Sequence, residues 1–158
     1  MSGAKMPLFL HTYTNRIDKK GRVSLPAPFR SALAETGKED PVIFRSLIHA
    51  AIEGWSQAQL EKLVEDAEAK GAYDPFPSSS QRLDDKATVL LSDAQPLKSD
   101  GEGRVMLPEL FIAHAGITDK ATFVGRGKTF QIWQPDDFTA YVEEARERLS
   151  AETGGQEE

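Results

Sequence analysis

One stretch of this chain is written twice. Asp18-Lys19-Lys20-Gly21-Arg22-Val23-Ser24-Leu25-Pro26 returns without a gap as Asp100-Gly101-Glu102-Gly103-Arg104-Val105-Met106-Leu107-Pro108. The match continues to Phe29 against Phe111, then Val42-Ile43-Phe44 against Ala121-Thr122-Phe123-Val124, then Trp55 against Trp133, always in the same order. Two copies of one supersecondary unit explain that order, and a duplication limits the possible folds more tightly than composition does. At 158 residues the chain can bury one core, or two small units sharing one, but not two large independent domains.

Within each copy, Arg-Val-x-Leu-Pro alternates apolar and polar positions. Val23 and Leu25, or Val105 and Leu107, therefore face one side of a strand that proline ends. Residues 8–17, rich in Thr, Tyr and Phe, read as the preceding strand. Residues 18–21 form the turn between the two, with Gly21 and Gly103 free to take positive φ. Pro26-Ala27-Pro28-Phe29 opens a short helix that buries Phe29, Ala32 and Leu33. Ser56-Gln57-Ala58-Gln59 has the form of a capping box, and Leu60, Leu63, Val64 and Ala67 follow at helical spacing to about Lys70. The counterpart helix starts after Pro135 and carries Phe138, Tyr141, Val142, Ala145 and Leu149 on one face. Residues 71–80 read as a loop, Leu83, Ala87, Leu90 and Leu91 as one more helix, and 150–158 as a frayed end. The expected organisation is α+β and β-rich. It has a first repeat over 10–56, a helical connector and loop over 57–91, a second repeat over 92–136, and a C-terminal helix with an acidic tail over 137–158.

Charge is unevenly distributed. The formal net charge of −6 argues at first against nucleic acid. Yet Asp136, Asp137, Glu143, Glu144, Glu147, Glu152, Glu157 and Glu158 face only Arg146 and Arg148 at the C-terminal end, which accounts for the whole deficit. Between residues 14 and 30, Arg16, Lys19, Lys20, Arg22 and Arg30 face only Asp18. The molecule is electrostatically polarised, which informs more than the sum. There is no cysteine, so no disulfide, thiolate metal site or cysteine nucleophile is available, as suits a reducing compartment. No apolar run approaches the roughly 20 residues that span a bilayer. The start, Met1-Ser2-Gly3-Ala4-Lys5-Met6, lacks the apolar core of a secretory signal. The expected location is cytoplasmic, with no membrane partner.

The two Asp-x-x-x-Arg turns are the candidate functional residues. An Asp opening a turn and an Arg leaving it can simply bond each other and the backbone. The functional reading adds that Arg22, flanked by Lys19 and Lys20, offers a planar fork to phosphate or to guanine O6 and N7, with Asp18 orienting it and Arg16 close by. In the second turn Asp100 and Arg104 repeat the pattern, but Glu102 stands where the first copy has Lys20. Phosphate contact is less natural there, and a purely structural use stays open.

The run Tyr13-Thr14-Asn15-Arg16-Ile17-Asp18-Lys19-Lys20-Gly21-Arg22-Val23-Ser24-Leu25-Pro26, with the second motif and its following His114-Ala115-Gly116-Ile117, resembles the MraZ family. The likeness extends from Leu8 to about Leu149. The resemblance implies two AbrB-like swapped-hairpin units of double-split β-barrel type, with flanking helices. It implies a transcriptional regulator that assembles into a ring-like homo-oligomer in the nucleoid. Such a ring binds short direct repeats of double-stranded DNA upstream of the division and cell-wall gene cluster, its own gene included. It also carries the DNA-contacting roles onto Arg22 and Arg104.

Other classes find less support in the residues. His11, His49 and His114 lack paired ligand spacing, no nucleophile or zinc motif occurs, and Gly125-Arg126-Gly127-Lys128-Thr129 lacks the full phosphate-loop spacing. That segment reads as a hairpin turn, with Arg126 or Lys128 as auxiliary phosphate contacts. The reading is a non-enzyme without cofactor, metal or small-molecule substrate. The alternative is an antidote-like protein-binding module of the same fold, against which the second folded unit argues.

Overall fold

Neither copy closes its own sheet. In the computed structural model, which describes residues 7–75 and 81–156, the strands are β1 (Thr12–Arg16), β2 (Arg22–Ser24), β3 (Val42–Arg45), β4 (Ile52–Trp55), β5 (Gln95–Pro96), β6 (Arg104–Met106), β7 (Lys120–Gly125) and β8 (Thr129–Trp133). The six-stranded antiparallel sheet runs β1-β7-β8-β4-β3-β5, and β2 pairs with β6 in a separate ribbon. Exchanging the copies turns this order into itself. β1 of the first copy lies on β7 of the second, β5 of the second lies on β3 of the first, and β4 meets β8 in the middle. The swapped-hairpin expectation therefore holds, with an α+β chain whose helices flank the strands.

The pseudo-twofold relation is visible in register. Val23 faces Val105 in the ribbon and Glu53 faces Gln131 in the sheet. At the latter position Gln131 Nε2 donates to Glu53 Oε2 at 3.0 Å, while Gln131 Oε1 accepts from Trp133 Nε1 at 2.9 Å.

The core fills the space between the ribbon, the sheet and the short helices α1 (Ala27–Glu35) and α4 (Glu109–Ala115). Val23, Leu25, Val105 and Leu107 supply its ribbon side, and each is 1% exposed. Phe29 sits at its centre, with ring centroids 5.3 Å from Phe9, 5.6 Å from Tyr13, 5.2 Å from Phe130 and 6.4 Å from Phe123. These edge-on and tilted arrangements suit the aromatic quadrupole. Phe130 can lie flat on β4 because Gly54 is there; a Cβ at that position would come within 2.3 Å of its ring.

Helix α2 (Gln57–Ala69) begins at Ser56, whose Oγ accepts from Gln59 N at 3.1 Å. Only this half of the capping box forms, since Gln59 Oε1 is buried without a partner. α3 (Gln81–Asp93) follows where the apolar spacing predicts a helix, although residues 76–80 of the expected loop lie outside the described residues. A cleft lined by Leu63, Ala67, Leu83, Ala87 and Leu90 separates the two helices. Arg45 of β3 clasps Asp93 at the end of α3, its Nη2 2.8 Å from Oδ1 and its backbone N 2.8 Å from Oδ2. Those bonds, the side-chain one first, hold the Asp93 carboxyl below its ordinary value.

Two boundaries differ from expectation. The strand read over 8–17 is shortened to β1, because His11 takes a φ of 73° and Phe9 turns inward to the core, bridging Gly127. The end read as frayed is helical as far as it is described: α5 spans Pro135–Gln156. No strong helix breaker interrupts Ser150-Ala151-Glu152-Thr153, and Thr153 Oγ1 donates back to Leu149 O at 2.9 Å. α5 starts on a cap that the sequence reading did not identify, Asp137 N donating to Gln134 Oε1 at 2.8 Å. It packs on the outer face of the sheet through Phe138 and Tyr141 against Trp133. Among the described residues no helix is long and apolar enough to cross a membrane.

Because one core joins both copies, they should unfold together. Phe29→Ala is expected to lower stability by about 3–5 kcal/mol. In urea, tryptophan fluorescence and circular dichroism should report a single coincident transition. Two separated transitions would mean that the copies are independent.

Candidate nucleic-acid interface

The Asp-x-x-x-Arg segment folds as a carboxylate cradle. Asp18 Oδ1 accepts from the backbone N–H groups of Lys20 and Arg22, both at 2.9 Å, and Oδ2 accepts from Arg22 Nε at 2.7 Å. Asp100 does the same for Glu102 N at 2.8 Å, Arg104 N at 3.0 Å and Arg104 Nε at 2.9 Å. A short carboxylate that collects nearby N–H donors is what an Asx-type turn requires. Gly21 and Gly103 close the turns at φ of 88° and 79°. A Cβ on Gly21 would also lie 2.6 Å from Leu107 O. The two turns have the same form in both copies because each satisfies the same backbone donors in the same way.

Each turn leads into a strand of the ribbon, so the turns stand at its opposite ends. Leu107 N donates to Gly21 O at 2.8 Å and Leu25 N to Gly103 O at 3.1 Å. The four-residue step from Gly21 to Leu25 spans about 14 Å. The arginines are brought closer than the turns are. Arg22 lies opposite Met106 and Ser24 opposite Arg104, so all four side chains share the face that points away from the buried Val23 and Val105. Arg22 and Arg104 are diagonal neighbours on that face, at a separation of roughly 7–8 Å. Their side chains are 39% and 37% exposed. Each spends Nε on its aspartate, which leaves the terminal Nη pair as the end that can meet a ligand. In the second copy Glu102 Oε2 approaches Arg104 Nη2 at 3.3 Å and competes for it.

Charge separates the two ends of the ribbon. Lys19 and Lys20 are exposed in the first turn, and Arg16, at the end of β1, is exposed opposite Lys120 of β7. Among the described residues none of these four cations forms an ion pair with an acid. Lys120 is a member that sequence spacing could not supply, because only the exchange of strands brings it beside Arg16. At the other end, Asp40 Oδ1 accepts from Ser99 N at 3.3 Å, and Glu39 lines a cleft with Asp100, Gly101 and Arg30. Arg30, counted among the basic residues of the first copy, is turned to structure. Its Nη1 donates to Leu25 O at 2.6 Å beneath Gly103. Arg126 and Lys128 occupy the β7–β8 hairpin, as expected for Gly125-Arg126-Gly127-Lys128-Thr129. They stand at the far end of β7 from Lys120, about 20 Å away along the strand.

The histidines have other partners. His114 Nε2 lies 3.2 Å from His49 O, and the His49 ring packs 5.1 Å from Trp133 and 4.8 Å from Tyr141. Among the described residues no group of three or more His, Asp or Glu could hold a metal ion.

The family model that matches is that of the MraZ protein, whose description likens it to antitoxins; it covers residues 8–77 and 90–155. The chain is similar to the transcriptional regulator MraZ of Gluconobacter oxydans, 44% identical over 146 residues, 90% of this chain and 85% of that protein. It is 39% identical over 143 residues to the transcriptional regulator MraZ of Pelagibacter ubique, covering 90% of this chain and 88% of that protein. To that of Rickettsia canadensis it is 38% identical over 141 residues, covering 89% and 91%.

The turns are expected to make the fold sensitive to acid. Asp18 is held below the ordinary aspartate value of 3.8, first by the backbone N–H of Arg22 and then by its side chain. Asp100 is held below it by the backbone N–H groups of Arg104 and Glu102. A lowered folded value means that the stabilisation is complete above 3.8 and is lost as pH falls through the folded value. The thermal midpoint of the wild type should therefore drop as pH is taken below about 4. The double variant Asp18→Asn/Asp100→Asn should show a flatter acid limb, since asparagine keeps an acceptor but has no proton to gain. Identical slopes would show that other carboxylates govern the acid limb.

Proposed function

Since the chain belongs to the MraZ family of transcriptional regulators, we propose that it regulates transcription by binding double-stranded DNA through the β2–β6 ribbon. The observation that carries this reading is the pair Arg22 and Arg104 on one exposed ribbon face, each guanidinium steadied by an aspartate. A two-stranded antiparallel ribbon fits the major groove, and a terminal Nη pair can bond guanine O6 and N7 or a phosphate. Arg22 is the principal reader and Asp18 its positioning residue. Lys19, Lys20, Arg16 and Lys120 supply phosphate contact at the basic end. Arg104, with Asp100, is a weaker second reader, because Glu102 draws on its guanidinium.

The targets in this reading are short direct repeats in the promoter of the division and cell-wall gene cluster, which includes the protein's own gene. A ring-like homo-oligomer in the nucleoid binds them. Residues 10–56 and 92–136 form the DNA-reading units, 57–91 the helical connector, and 137–158 a helix with an acidic tail turned away from the DNA. Two arguments support assembly. A few cations bind DNA weakly and lose affinity steeply with salt, while several copies engaging repeats in phase gain through effective concentration. Among the described residues no ion pair joins α5 to Lys19, Lys20 or Arg22, so those cations are not neutralised by the acidic helix through direct contact.

The test is binding of wild type and Arg22→Ala to the DNA upstream of the protein's own coding sequence, against a scrambled duplex, at two salt concentrations. Folding and oligomeric state of the variant are confirmed first. Wild type should prefer its own upstream DNA, more so at low salt, and Arg22→Ala should lose roughly tenfold to a hundredfold in affinity per reading unit. A folded variant that binds like wild type would place the contact elsewhere. A wild type that binds neither duplex would favour the antidote-like reading, in which the same fold docks a protein.

A further inference from the structure

The outer face of the ribbon repeats in backbone but not in side chains. Ser24 and Met106 occupy equivalent positions in the two copies. The antiparallel register sets Met106 beside Arg22 and Ser24 beside Arg104. Gly21 with Leu107, and Gly103 with Leu25, are hydrogen-bonded pairs. The pairs Arg22–Met106 and Ser24–Arg104 therefore fall on the alternate positions, where Cα atoms approach to about 4.5 Å and side chains lie closest. Met106 is 54% exposed, while Val105 and Leu107 on either side of it are each 1% exposed. An apolar, unbranched side chain is thus held in solvent next to the guanidinium that faces outward from the basic end.

In the major groove, the apolar feature of a base-pair edge is the C5-methyl group of thymine. A methionine thioether, flexible and polarizable, fits such a group without demanding one fixed geometry. We propose that Met106 reads the C5-methyl of a thymine adjoining the base pair that Arg22 contacts. This rests on the DNA reading above and adds to it a specificity-determining residue. Ser24, with a hydroxyl that can bond to several base edges, leaves the other half of the ribbon indifferent to that methyl. The duplication then presents two chemically different half-faces on one symmetric scaffold, with the methyl-sensing half at the basic end.

The test uses the full chain and the duplex upstream of its own coding sequence, made once with thymine and once with uracil, which lacks only that methyl. Wild type, Met106→Ser and Met106→Leu are compared, together with a scrambled duplex. Met106 is exposed enough for both variants to fold. Wild type is expected to bind the thymine duplex more tightly, by about fourfold for each methyl contacted. Met106→Leu should retain this preference, and Met106→Ser should bind the two duplexes alike. A wild type indifferent to the methyl overturns the inference, and so does Met106→Ser retaining the full preference. An equal loss on both duplexes overturns it as well and assigns Met106 to packing against the stem of Arg22. A wild type that does not distinguish its own DNA from scrambled DNA overturns the operator reading itself, an outcome separate from selective loss of methyl dependence.

Discussion

The exchange of strands between the two copies is the constraint on which the rest of the molecule depends. β2 is three residues long and its partner is β6, from the other copy. Without that partner its backbone groups would lack a ladder, and Val23 and Leu25 would lose the opposing Val105 and Leu107 that complete the core. A ribbon of this size is marginal alone. It persists because its inner face is sealed onto the six-stranded sheet through Phe29 and the aromatic cluster around it. The ribbon's outer face is then fixed by default, since strand alternation leaves Arg22, Ser24, Arg104 and Met106 nowhere else to point.

The same exchange determines where charge collects. In one dimension, Arg16 and Lys120 are far apart and the net charge is negative. In the folded chain β1 and β7 place them opposite each other, next to the turn bearing Lys19 and Lys20. At the other end the equivalent pair is Lys98 and Asp40, so an acid stands where the basic end has Lys120, and Glu39 lies close by. Two ends that share a backbone have thus diverged electrostatically, and a polyanion meeting the ribbon would be oriented by that difference before any base is contacted.

Much of this was legible in the sequence, and what was not has a common cause. The turns announced themselves because Asp, Gly and Arg at fixed offsets encode a local hydrogen-bond pattern that needs no distant partner. The helices from Gln57 and Pro135 were legible from periodicity, for the same reason. The choice of strand partner was visible only through the family resemblance, because pairing is non-local: nothing in Thr12–Arg16 itself says that it lies on Lys120–Gly125 and not on Arg22–Ser24. Every residue missed at the candidate site follows from that. Lys120 joins Arg16, and Met106 joins Arg22, only across the exchanged pairings. The positive φ of His11 is likewise unreadable locally, since it serves the inward turn that seats Phe9 against Phe29 and Phe130.

The two aspartates show how a residue can build a turn and at the same time hold a neighbouring side chain in place. As exposed ion pairs, Asp18–Arg22 and Asp100–Arg104 contribute little to stability through attraction alone. Most of what Asp18 does is collect two backbone N–H groups and so set the path by which the chain leaves the turn. Holding Arg22 Nε is an addition to that, and its effect falls on entropy: a long side chain that would otherwise sample many rotamers presents its terminal nitrogens from a restrained position. A carboxylate beside a phosphate-seeking group carries an electrostatic cost, and the geometry limits it by turning both carboxylate oxygens inward to donors of the turn. The cradle therefore fits a site in which placement of the guanidinium outweighs raw positive charge, as in reading a base edge. On a backbone-binding surface that needed only charge, an unpaired arginine would serve better.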